Sequence, residues 1–170
     1  MAIHLTDLPR NLMNTDTSIS SETNDFFAQH AILIANSFER LLACPLIARK
    51  KDENLAFSLH HAPFVLLSHN TQPEPTFNYA NAQALALFEL TWEELIRLPS
   101  LLSAEPVNQE ERAKLLAQVT KRGFIDNYEG VRISKTGKRF KIRNAIVWNL
   151  LDNDGIYQGQ AACFSEWQFL

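Results

Sequence analysis

Histidine is the first residue type to test for metal or haem chemistry, and the chain has five: His4, His30, His60, His61 and His69. A ligand pair needs two on one element at a useful spacing, such as i, i+4 on a helix. His60 and His61 are adjacent, so a regular element points them to different faces. They read as loop histidines ahead of a strand, and no metal is expected. His69 follows the apolar run 64–67, where its ring serves either a turn backbone group or a bound ligand. Ser68 beside it is no nucleophile–base pair, because neighbouring strand residues face opposite ways. Cys44 and Cys163 form no CxxC, so neither a disulfide scaffold nor a zinc site is supported. The carboxylate pairs Glu93-Glu94 and Glu110-Glu111 fall at helix starts, where capping and dipole effects account for them. The chain has no G-x-S-x-G, P-loop, H-E-x-x-H or Rossmann fingerprint. No enzyme is expected.

Binding is the better chemistry to look for. Asn144 shares an alternating face with Phe140, Ile142, Ile146 and Trp148. If that face packs under helices, a buried amide there needs a partner, either backbone or ligand. Asn78, Tyr79, Tyr128, His69 and Trp148 are the further pocket candidates. Arg132, Lys135, Lys138, Arg139, Lys141 and Arg143 crowd one hairpin. A solvated sheet face explains them, and an acidic partner is the sharper alternative. Aromatics are not interleaved with these charges, which argues against nucleic acid.

These residues need elements to place them. The apolar positions Phe27, Ala31, Ile34, Phe38 and Leu41 step by four and three along one helical stripe. The helix should start at Thr23 or Asn24 and stop by Pro45. Its stripe is too apolar for water, so Phe27, Ile34, Phe38 and Leu41 are expected to dock on their own domain, on a second copy as a homodimer contact, or on both. Two short strands follow, at 64–67 and 76–80, then three helices: one capped by Asn81, one opened by the capping box Thr91-Trp92-Glu93-Glu94, and one running over 109–122 with Asn108 and Glu111 at its start. Strands are expected over 125–133, 140–150 and 157–169, the last two joined by the Asp154-Gly155 turn. Two strands, three helices and three strands predict an α+β fold with a small antiparallel sheet.

The 170 residues fit one domain with a short appendage, and 46% of them are apolar. Net charge is −3, which disfavours an electrostatic nucleic-acid binder. The charge is uneven: residues 64–107 carry −4 and residues 108–170 carry +3. Asp7, Pro9, Arg10 and Asp16 interrupt any signal-peptide core, and no run reaches the roughly 18 apolar residues of a membrane span. A cytoplasmic protein with reduced thiols and no membrane contact is expected.

The order of elements resembles a PAS domain. Phe77-Asn78-Tyr79-Ala80-Asn81, Thr91-Trp92-Glu93-Glu94-Leu95 and Asp152-x-x-Gly155 are similar to the second strand, a helix and the last hairpin of that fold. Ser103-Ala104-Glu105-Pro106, Gly123-Phe124-Ile125-Asp126, Gly130-Val131-Arg132-Ile133-Ser134 and Val147-Trp148-Asn149-Leu150 narrow the resemblance to the MEKHLA domain, over roughly residues 28–167. The resemblance implies a five-stranded antiparallel sheet with a helical cluster on one face and an extra N-terminal helix. Composition and periodicity divide the chain into a flexible tail (1–22), the N-terminal helix (23–45) and the domain proper (46–170). The resemblance also implies a non-enzymatic sensory or regulatory module. Such a module would bind a small apolar or amphipathic molecule or a protein partner, with a ligand-free dimerisation domain as the alternative. Flavin photochemistry is disfavoured, because the flavin-binding PAS subfamily carries its cysteine in the helical middle. This chain has none between residues 45 and 162. Cys163 reads as a small strand residue, and no cofactor is identified.

Overall fold

Trp148 and Asn149 divide the molecule. As strand neighbours they leave opposite faces of the sheet. The structure, a computed structural model, describes residues 27–170. The expected tail (1–22) and helix start (Thr23 or Asn24) lie outside the described residues. In chain order the elements are α1 (Ala28–Leu42), α2 (Leu55–His60), β1 (Val65–His69), β2 (Phe77–Ala80), α3 (Ala82–Phe88) and α4 (Trp92–Leu95). A 3₁₀ turn (Ser100–Ser103), α5 (Pro106–Arg122), β3 (Phe124–Ile133), β4 (Arg139–Leu151), β5 (Tyr157–Phe164) and β6 (Glu166–Phe169) complete the chain. The strands form one antiparallel sheet in the order β2-β1-β5-β4-β3. Trp148 Nε1 donates to the Ile34 carbonyl of α1, whereas Asn149 Nδ2 donates to the Val119 and Thr120 carbonyls of α5. The sheet therefore separates an α1 layer from an α5 layer.

The apolar stripe of α1 is spent within the chain. Ile34 is fully buried, Phe38 packs edge-on against Trp148 at 4.9 Å, and Phe27 stacks on Trp92 at 4.9 Å. Leu41 packs against the same core. Of the placements expected for them, Phe27, Ile34 and Phe38, buried, and Leu41, half-buried, take the one on their own domain, which corrects a dimer contact made by the three buried side chains. Ser37 adds a two-way clasp, donating to the Leu151 carbonyl and accepting from the Leu151 N–H.

Asn144 is the second correction. Its backbone is left-handed, at φ 50°, and its side chain is exposed and donates to the Glu166 carboxylate at 3.0 Å. Asn tolerates this conformation better than other side chains that carry a Cβ. The kink is a bulge that reverses the alternation of β4. Phe140 and Ile142 are buried before it, and Ala145 and Val147 after it. The same kink accounts for a sixth strand. β5 pairs with β4 from Ile146 onwards, β6 pairs with residues 140–143, and the break in the expected single strand 157–169 falls at Ser165.

The basic hairpin meets its acidic partner inside the chain. Lys135, Lys138, Arg139 and Lys141 pair with Glu94, Glu89, Glu105 and Glu129 at 2.5, 2.5, 2.5 and 2.6 Å. Glu89 caps the end of α3 and is held by Lys138, Thr136 and Ser134, which keep its carboxyl near a pKa of about 2. The negative and positive stretches of the sequence thus fasten the β3–β4 turn to the helices.

Candidate ligand-binding cavity

A cavity of about 50 Å³ lies between the sheet and the helices on the α5 side. Its floor comes from β1, β5 and the post-bulge face of β4: Leu67, Phe164, Ala162, Ala145 and Val147. Phe88, Leu115 and Leu116 roof it, and Ile125 and Tyr128 of β3 close one side. His69, Ser103, Gln160, Arg112 and Arg132, with the Tyr128 hydroxyl, break this apolar lining.

His69 ends β1. Its Nδ1–H donates to the Asn70 carbonyl at 2.9 Å, which leaves Nε2 as a bare acceptor, buried and without a hydrogen-bond partner. Burial lowers the pKa of the ring and the nearby Arg112 lowers it further; the Asn70 carbonyl and the Gln160 side chain oppose this only in part, so the ring stays neutral. The turn-backbone role expected of His69 falls on Nδ1. Gln160 sits opposite in the β1–β5 register and donates to the Leu116 carbonyl, Thr120 Oγ1 and Asn149 Oδ1, tying β5 to α5.

Arg112 lies on the inner side of α5 and is 8% exposed. Among the described residues nothing forms a hydrogen bond or ion pair with its guanidinium. Burial and the neighbouring Arg132 pull its pKa down to about 10, which still leaves it charged at neutral pH. Arg132 of β3 is equally buried but satisfied: it donates to the Tyr128 hydroxyl at 2.7 Å and the Val131 carbonyl at 2.9 Å. Tyr128 and Arg132 fold together over Gly130, where a Cβ would come within 2.5 Å of the hydroxyl and 2.9 Å of Arg132 Nη1. Arg112 and Arg132 also line an outer polar groove with Glu111 and Glu129, so they stand between the apolar interior and solvent.

Of the expected pocket residues, the structure brings His69 and Tyr128 to the cavity wall and leaves four elsewhere. Asn144 is at the surface and Trp148 faces α1, both consequences of the bulge. Asn78 accepts from Ser68 Oγ at 2.6 Å, and Ser68 in turn accepts from His30 Nε2–H at 2.9 Å, a chain directed at α1. Tyr79 is fully buried against the His30 ring, 5.7 Å between centroids, and burial raises the pKa of its unpartnered hydroxyl. Sequence reading missed Arg112, Asn149 and Gln160. A signal for Arg112 was present: with Leu115, Leu116 and Val119 it falls at i, i+3, i+4, i+7, so a charge sits on the buried stripe of α5.

The His30 ring carries an acid sensitivity. Burial lowers its pKa from 6.5 to about 4. The folded state then binds fewer protons than the unfolded chain, and stability falls as pH drops from 6.5 towards 4, by about 3 kcal/mol in full. Urea unfolding across that window should show the loss, and His30→Gln should flatten the slope. Glu89 acts in the same direction at lower pH, between its usual 4.5 and about 2, so the two contributions are separable.

Cys163 is no nucleophile, since burial pushes its thiol up to about 12. Among the described residues no group of three or more His, Cys, Asp or Glu side chains is placed to hold a metal, and no helix is long and apolar enough to cross a membrane.

The sheet order, the flanking helices and the enclosed space between them define a PAS-like fold. The chain is similar in structure to the PAS domain of a Colwellia psychrerythraea protein, at TM-score 0.54 and 14% identity over 64% of this chain and 90% of that one. It is also similar to a light-oxygen-voltage domain solved with a flavin analogue, at TM-score 0.55 and 16% identity over 70% and 86%. At this level of identity the likeness is one of fold. A flavin adduct of the light-oxygen-voltage kind has no thiol to form on, since neither Cys44 nor Cys163 lines the cavity. Residues 28–169 match the MEKHLA domain, and the chain belongs to that family. Curated relatives include the homeobox-leucine zipper proteins HOX29 and HOX9 of Oryza sativa. They are 26% identical over 72% of this chain and 25% identical over 81% of it. The chain spans only 14% and 16% of their respective lengths.

Proposed function

We propose that the chain is a non-enzymatic sensory or regulatory module that takes a small molecule between its sheet and α5. The observation that carries this reading is an apolar cavity in which His69 Nε2 is buried without a protein partner, with the unpaired Arg112 guanidinium at its mouth on the outer groove. Buried polar groups are normally satisfied, and an orphan facing a cavity is a group prepared for something else. The cavity offers no nucleophile beside a base, which suits binding without turnover. Occurrence as a small part of homeobox-leucine zipper proteins fits a module that modulates other domains. The free thiols Cys44 and Cys163 suit the cytoplasmic location that the reading assigns.

Native mass spectrometry of the full chain purified from its source is the test. A retained small molecule is expected, and Ala162→Leu, which fills the floor of the cavity, should abolish it while the chain still folds. Retention unchanged in Ala162→Leu would remove the cavity from the reading. The alternative of a ligand-free dimerisation domain loses its main support, because the helix stripe that motivated it is buried in cis.

A further inference from the structure

Resting on that reading of the cavity, we infer that its ligand is a small amphipathic carboxylic acid, bound as the carboxylate to Arg112 with its apolar body against Leu115, Leu116, Ala145 and Phe164.

A buried guanidinium without an anion is costly, and two side by side repel each other. Arg112 and Arg132 are such a pair, each 8% exposed. The acids nearby do not neutralise Arg112. Glu129 is engaged by Lys141 at 2.6 Å, and Glu111, exposed on the outer groove, makes no ion pair with it. An external anion would complete the site. The donors decide which one. Arg132 already gives hydrogen bonds to Tyr128 and Val131, so Arg112 supplies the one guanidinium fork without a partner. One fork matches one carboxylate bidentately. A phosphate dianion would ask for more donors and would meet an interior lined mainly by carbon. His69 Nε2 only accepts, so it repels a carboxylate oxygen and favours a hydroxyl or N–H on the ligand's other end. The polar head therefore lies at Arg112 in the outer groove, which adds about 250 Å³, and only the apolar end enters the cavity.

Calorimetric titration and thermal melting of the full chain with hexanoate, benzoate and 4-hydroxybenzoate, against hexanol, benzyl alcohol and sulfate, test the assignment. The acids should bind at least about tenfold more tightly than the matched alcohols, with 4-hydroxybenzoate ahead of benzoate, and sulfate should not compete. Arg112→Gln should erase the preference for acids. Without ligand it should melt about 3 °C higher, because an unpaired buried charge is gone; Arg112→Met serves as the second variant. Equal binding of acids and alcohols, or a preference that survives Arg112→Gln, would overturn the carboxylate assignment and leave the cavity reading standing. Sulfate binding as tightly as the acids would reduce the site to a bare anion contact and overturn it too. Lower melting of both variants would make Arg112 structural and sink the proposal. Occupancy by neither acids nor alcohols would remove the cavity reading along with it.

Discussion

Replacing Asn81 by alanine is expected to destabilise the chain by about 4 kcal/mol and lower its melting temperature by roughly 12 °C. The side chain is wholly buried and every hydrogen-bonding site on it is used. Oδ1 accepts from the Leu66 N–H at 3.1 Å and the Ala84 N–H at 3.0 Å, while Nδ2 donates to the Phe64 carbonyl at 2.8 Å and the Leu59 carbonyl at 3.2 Å. One amide therefore joins α2, the start of β1 and the N-terminus of α3. Alanine keeps the helix but removes the partner of the Leu66 and Ala84 N–H groups and of the Phe64 carbonyl, while the Leu59 carbonyl keeps the Ala62 N–H, and each buried orphan costs on the order of 1–3 kcal/mol. An aspartate there would accept as before, but its buried charge would face the Phe64 and Leu59 carbonyls, so Asn81→Asp should cost at least as much as Asn81→Ala. Chemical denaturation of the three chains at neutral pH checks the order. Equal midpoints for Asn81→Ala and the parent chain would show that the amide is not holding these elements together.

Gly159→Ala is expected to cost about 4 kcal/mol or more, through a different cause. The residue sits at φ 126°, a conformation that side chains rarely adopt, and an added Cβ would lie 2.0 Å from the His69 carbonyl oxygen. That obstacle is backbone and cannot swing aside. β1 and β5 would have to separate where His69 faces Gln160, which is also the cavity floor. The substitution should therefore weaken both the fold and ligand retention. Hydrogen exchange should show lost protection at His69 and Gln160 first. By contrast Gly155→Ala, with positive φ but open space around it, should cost far less.

Local chemistry was readable in the sequence, and longer-range geometry was not. The Thr91–Glu94 capping box forms both of its hydrogen bonds, because four consecutive residues contain everything it needs. Asn81 was readable as a helix cap, but its bonds to Leu59, Phe64 and Leu66 depend on how distant segments meet. α5 begins at Pro106 and not at residue 109, because Glu105 supplies the cap position in backbone geometry without offering a side-chain hydrogen bond, so no capping signal marks it. The family resemblance placed the sheet and helices correctly, yet it did not place the cavity residues. Period-2 alternation carries no information about which residue absorbs a bulge. Once Asn144 absorbs it, residues assigned to solvent by parity, such as Asn149, move under a helix, and Trp148 goes to the other side. The charged hairpin is the solvated face expected of it, but its pairing with Glu94, Glu89 and Glu105 was not readable, because those partners lie far away in sequence.

The placement of Trp148 and Asn149 has a consequence for how such a module would report its state. Asn149 is wired through Gln160 to the compartment that would hold the ligand, and Trp148 is wired to the long helix behind the sheet. A displacement of β4 by a fraction of an ångström reaches both compartments across a single peptide unit. No relay of side chains around the edge of the sheet is needed, and the signal path is as short as a polypeptide allows.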